Sequence, residues 1–90
     1  MADIEVTRID DERFRVEVAE VGGATTHEVT ASPDACRRYA GDVAPEELVR
    51  ASFVFLLERE PKEAILRSFA LPVIERYFGD YPRVIRSYLS

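Results

Sequence analysis

The chain has 90 residues, 47% hydrophobic and 32% charged, with a formal net charge of −5. That length supports one domain, residues 1–90, with a small core, and no segment is depleted enough in apolar residues to stay unfolded. Its acidity disfavours nucleic acid and anionic membrane as partners, because a negative surface is repelled by phosphate.

The charge is unevenly spread. Residues 1–44 carry ten acidic and five basic groups, whereas residues 61–90 carry three acidic and five basic ones. The last third is therefore mildly cationic on an acidic body. Cys36 is the single cysteine, which excludes an internal disulfide. The N-terminus lacks the charged-then-apolar pattern of a signal peptide. The longest apolar run, Phe53 to Leu57, is far short of the ~20 residues a bilayer span requires. The expected location is the reducing cytoplasm.

The first third reads as strands at about 3–9, 13–21 and 24–30. Phe14, Val16 and Val18 alternate with Arg13, Arg15 and Glu17, the period of a half-buried strand. A turn over Asp10-Asp11-Glu12 sets Val6 against Val16 and Ile4 against Val18, keeping the apolar face intact. Gly22-Gly23 supplies the next turn. In that register Val18 faces His27, Val16 faces Val29 and Phe14 faces Ala31. Glu17 then falls opposite Glu28, an unfavourable like-charge pair. The expected sheet is a three-stranded antiparallel meander with one apolar face, which helices must cover.

From Ser32 the signals become helical, with segments at about 33–40, 45–60, 61–70 and 72–89, the last broken at Gly79. Ser32-Pro33-Asp34 combines an N-cap, a proline at the first helical position and an acid in the first turn. Gly41 closes that helix. Pro45 opens the second, and Pro61 and Pro72 mark the next corners. The centre of the second helix, Ala51 to Leu57, is apolar nearly all the way round, so it needs cover on several sides. Either the later helices or a second chain provides it. Val54 and Leu57, with Phe53 and Phe55, are the candidate subunit or partner interface.

Other chemistry is sparse. His27 falls on the inward strand face and has no ligand partners at metal spacing. Cys36 precedes Arg37-Arg38, yet a small helix residue packed on the sheet explains it. The carboxylates fall in turns, on the outer sheet face and in first helical turns, and none forms a marked acid–base pair. No catalytic, metal or cofactor site is expected. Arg67, Arg76, Arg83 and Arg86 interleave with Tyr77 and Tyr81, a mixture used in protein hot spots and in nucleic-acid contact. These six residues form the candidate polar binding surface. Val73, Ile74, Tyr77 and Phe78, however, also fit a core-facing stripe.

The run Glu47-Leu-Val-Arg-Ala-Ser-Phe-Val-Phe-Leu-Leu-Glu-Arg-Glu-Pro-Lys-Glu-Ala-Ile-Leu-Arg-Ser-Phe69, continued by Ile74-Glu-Arg-Tyr-Phe78, resembles one found in small uncharacterised bacterial proteins with a strand-rich start. The resemblance covers about half the chain and implies a bacterial, cytoplasmic, single-domain protein with no activity attached. The order of hairpin then helices is also similar in outline to antitoxins of the HicB type. The expectation is an α+β, non-catalytic interaction protein that binds another protein or itself as a homodimer. The alternative is a regulatory, antitoxin-like module whose cationic last third touches nucleic acid or a toxin. An enzyme is the third reading.

Overall fold

The computed structural model describes residues 2–89. The fold is α+β. Strands β1 (Asp3–Arg8), β2 (Arg13–Glu20) and β3 (Gly23–Thr30) are followed by helices α1 (Pro33–Ala40) and α2 (Pro45–Leu57). A single 3-10 turn (Lys62–Ala64), a short strand β4 (Ser68–Ala70) and helices α3 (Pro72–Tyr77) and α4 (Tyr81–Leu89) complete it. The sheet order is β1-β2-β3-β4, antiparallel except for β4, which runs parallel to β3.

The first hairpin has the expected register, with Ile4 opposite Val18 and Val6 opposite Val16. Its turn is fixed by Asp10, whose Oδ1 accepts from the Glu12 and Arg13 amides at 3.0 and 2.9 Å. The acceptor competes successfully with strand continuation, as short Asx side chains do in turns.

The second hairpin corrects the expected register by two residues. Its corner is Val21-Gly22, Glu20 pairs with Gly23, and Val16 faces His27 while Phe14 faces Val29. Gly22, at φ 99°, takes the left-handed region that a corner of this type imposes on its second residue, and Gly23 follows it at φ 157°. A two-residue shift keeps every side chain on its face. It also removes the Glu17–Glu28 clash, since Arg15 now faces Glu28 and Glu17 faces Thr26.

The larger correction concerns residues 61–70, expected to be a helix. Pro61 starts only one 3-10 turn, and the chain then becomes β4. The cause is tertiary. The exposed edge of β3 offers unpaired backbone groups, and β4 satisfies them: the Glu28 amide donates to the Arg67 carbonyl at 2.7 Å, and the Leu71 amide to the Thr30 carbonyl at 3.0 Å. Phe69 and Leu71 are buried, Ser68 is exposed and Ala70 between the two is only partly buried, so this stretch follows the strand period. The sheet is thus four-stranded and mixed, not a three-stranded meander. The 45–60 helix also ends earlier than expected, at Leu57.

The helices cover one sheet face. Ser32 caps α1, its Oγ accepting from the Ala35 amide, and Gly41 ends it at φ 63°. Prolines occupy the first positions of α1, α2 and α3. Helix α2 packs on β1 and β2 and is flanked by α1 and α4. Much of its all-round apolarity is answered within the chain. On one side Phe53 meets His27 and Phe69, with ring centroids 5.2 and 6.0 Å away. On the other Phe55 meets Tyr81, Phe78 and Tyr88 at 5.2, 5.9 and 6.3 Å. No described helix is long and apolar enough to cross a membrane.

Candidate functional site

A concave apolar site lies between the 3-10 turn, β4 and α3. Lys62 anchors the turn. Its stem is buried, and its ammonium sits 2.7 Å from Glu63 and 2.9 Å from Glu20 at the end of β2. Hydrogen bonding to Glu63 and then Glu20 raises its pKa above the ordinary lysine value. Ile65 turns into the core. The Leu66 carbonyl accepts from His27 Nδ1 at 2.8 Å. A carbonyl only accepts, so Nδ1 carries a proton and donates it, while Nε2 lies 2.8 Å from the Thr25 hydroxyl. His27 is therefore a strut that fixes the approach to β4, buried as strand alternation places it.

Across from this, Pro72 opens α3, Ile74 enters the core and Tyr77 stays in solvent. The result is a cleft of about 160 Å³. Leu56, Ile65, Phe69 and Ile74 are its buried lining, while Leu66 and Tyr77 line it with 47% and 69% of their surface exposed. Glu60 also lines it, and burial raises its carboxyl above the usual range. No ion pair or side-chain hydrogen bond to Glu60 occurs among the described residues.

A second, more open depression of about 470 Å³ is lined by Glu47, Arg50, Ala51, Val54, Tyr88 and Leu89. It holds the outward part of the interface expected from the sequence. Val54 is 36% exposed and Leu57 is partly buried, whereas Phe53 and Phe55 are fully buried core residues. The expected interface is therefore reduced to Val54 and the margin of Leu57.

The expected polar surface is likewise divided. Arg67, Arg76, Arg83 and Arg86 are exposed, but on three elements: the approach to β4, α3 and α4. Arg86 donates to the Arg38 carbonyl at 2.8 Å. Tyr77 belongs to the apolar cleft. Tyr81 is not a surface residue: it is fully buried, its hydroxyl 2.7 Å from Ser52 Oγ and its ring 4.9 Å from Tyr39. Burial pushes its phenol far above the ordinary tyrosine value.

Cys36 is buried with its Sγ 3.8 Å from the Ala31 carbonyl. Burial raises its thiol pKa against the opposing influence of Arg8, which keeps it protonated. Among the described residues no group of three or more His, Cys, Asp or Glu is placed to hold a metal ion.

Sequence reasoning missed Glu60 and Leu66 as site residues because both lay inside segments read as helix, 45–60 and 61–70. The signal that would have found the site is the alternation Ser68-Phe69-Ala70-Leu71, which marks a strand next to the cleft. Comparison with protein-family models, curated proteins and solved structures gives no match to this chain.

Proposed function

We propose that this chain is a non-catalytic interaction protein that receives an apolar side chain of a protein partner in the cleft between β4 and α3. The observation that carries the reading is the pairing of Leu66 and Tyr77. Both are large and largely exposed, and both line one concave apolar site. Exposed apolar residues scattered singly are ordinary, whereas a contiguous set around a cavity marks a binding surface. The cleft, at about 160 Å³, is smaller than the roughly 300 Å³ at which small-molecule pockets begin. It matches one anchoring side chain of the kind that dominates protein interfaces.

The test is substitution at an exposed position that the fold does not need. Tyr77→Asp should leave the thermal unfolding curve in place and abolish co-purification of the partner retained by the unaltered protein. Retention at the unaltered level would refute the cleft as the contact.

Self-association through α2 is a second reading, favoured by one feature. Arg50 and Glu58 stand four residues before and after exposed Val54. A twofold axis at Val54 would set Arg50 of one copy against Glu58 of the other, the self-complementarity an isologous contact requires. Light scattering over a dilution series tests it: Val54→Asp should turn a dimer into a monomer. A monomer at every concentration of the unaltered protein removes this reading.

A further inference from the structure

We infer that the occupant of the cleft is an extended segment of another protein, added as a fifth strand along β4, with an apolar anchor residue and a neighbouring Lys or Arg that pairs with Glu60. The inference rests on the cleft reading above and names the class of partner.

The first support is the sheet edge. β4 is a terminal strand. Arg67 and Leu71 direct backbone groups to β3, so in this parallel ladder the N–H and C=O groups of Ser68 and Ala70 point away from it. Such an edge is a template for another strand. The opposite edge is guarded. On β1 the Arg50 guanidinium donates to the Ile4 carbonyl, and Arg8 pairs with Glu46 at 3.1 Å. The two edges of one small sheet are thus treated differently, and the open one adjoins the apolar cleft.

The second support is register. Side chains alternate along a strand, so every other residue of a segment paired with β4 lies on the side of Phe69. Phe69 lines the cleft. One residue of the added strand can therefore fill the cavity while its backbone completes the ladder.

The third support is charge. Glu60 is the one carboxylate lining the cleft, it stands among apolar neighbours, and it is without a counter-ion among the described residues. Desolvating it further beneath a neutral partner would be costly, whereas a partner cation offsets that cost. The net charge of −5 adds a weak long-range attraction for a basic segment.

The experiment uses the full chain, isotope-labelled, and three synthetic nine-residue peptides of alternating Thr and Val with a central Leu. The first carries Lys two positions from the Leu, and the second carries Glu there. The third is the Lys peptide N-methylated on the amides that face the sheet edge. Amide shifts are followed by NMR and affinities by titration. The Lys peptide should shift the Ser68 and Ala70 amides together with Leu66 and Tyr77. It should bind about tenfold more tightly than the Glu peptide, the size of one charge-assisted hydrogen bond. Glu60→Gln should reduce that preference to less than about twofold, and the N-methylated peptide should not bind.

Equal binding of the Lys and Glu peptides, or of the N-methylated one, would overturn the inference and leave the cleft reading intact. Absence of binding by all three also overturns it, and the Tyr77→Asp co-purification result then decides the cleft reading separately. Shifts at the same residues on changing the concentration of the free protein would assign the edge to a second copy and overturn the proposal.

Discussion

Removing the Ser52 hydroxyl should destabilise the protein more than removing the Tyr81 hydroxyl, although the two form one hydrogen bond. Both residues are fully buried. Ser52 Oγ lies 2.7 Å from the Leu48 carbonyl and 2.7 Å from the Tyr81 hydroxyl. The serine has one hydrogen, and the carbonyl can only accept it, so Tyr81 donates to Ser52. Ser52→Ala leaves the Tyr81 O–H buried without an acceptor, at a cost of about 1–3 kcal/mol. Tyr81→Phe removes the donor but leaves Ser52 bonded to Leu48, costing about 0.5–1.5 kcal/mol with the ring packing retained. The double variant strands no polar group. It should cost less than the sum of the single changes, with a coupling on the order of 1 kcal/mol. Urea unfolding followed by far-ultraviolet circular dichroism measures all three against the unaltered protein. In a domain of this size each kcal/mol moves Tm by about 4–8 °C, so the differences are resolvable. The reasoning fails if Tyr81→Phe costs as much as Ser52→Ala, or if the two effects add. Near-zero effects in both would return Tyr81 to the surface, where the sequence reading had placed it.

Alkaline pH should unfold the protein through the same core. Burial holds the Tyr81 phenol far above its ordinary value, and burial with the Glu75 hydrogen bond pushes Tyr39 up to about 12. Both titrate near ~10 when unfolded. Raised folded values mean that the stabilisation is complete below about pH 10 and is lost as pH rises through about 12. The urea midpoint should be flat from about pH 8 to 9.5 and fall beyond 10, less steeply in Tyr81→Phe; a midpoint constant to pH 11 would contradict this. Glu60 has the same sign at acid pH: its raised carboxyl pKa favours the folded state below about 4.5 and loses that contribution as pH rises through the folded value. Glu60→Gln should therefore raise Tm slightly at pH 7 and leave it unchanged near pH 3.5, read by calorimetry. Phe53→Ala, at a fully buried ring between the sheet and α2, should cost about 3–5 kcal/mol. That is enough to leave much of the chain unfolded at 37 °C; a loss below ~1 kcal/mol would mean the core can collapse around the gap.

The elements that sequence alone determined are those whose signal is local. Phe14, Val16 and Val18 alternate, so β2 buries one face whatever surrounds it. Ser32, Pro33 and Gly41 bracket α1 to the residue, because caps and turns act through atoms within a few positions. Asp10 fixes the first hairpin and hence the Val6–Val16 register for the same reason. Tertiary structure decided what local signals leave balanced. Ile65, Leu66 and Phe69 fit a helix as well as a strand, and the unpaired edge of β3 made residues 68–70 a strand. Phe53, Phe55 and Tyr81 are apolar or amphipathic at positions that could face a partner. Packing of Phe53 against His27 and Phe69 of the sheet, and of α4 and Phe78 against Phe55, put all three in the core. The candidate cleft was out of reach for the same reason, since Glu60, Leu66, Phe69 and Tyr77 come together only once β4 has docked beside β3. Burial and juxtaposition are properties of the packed chain, and a sequence pattern specifies them only where one arrangement satisfies every backbone group nearby.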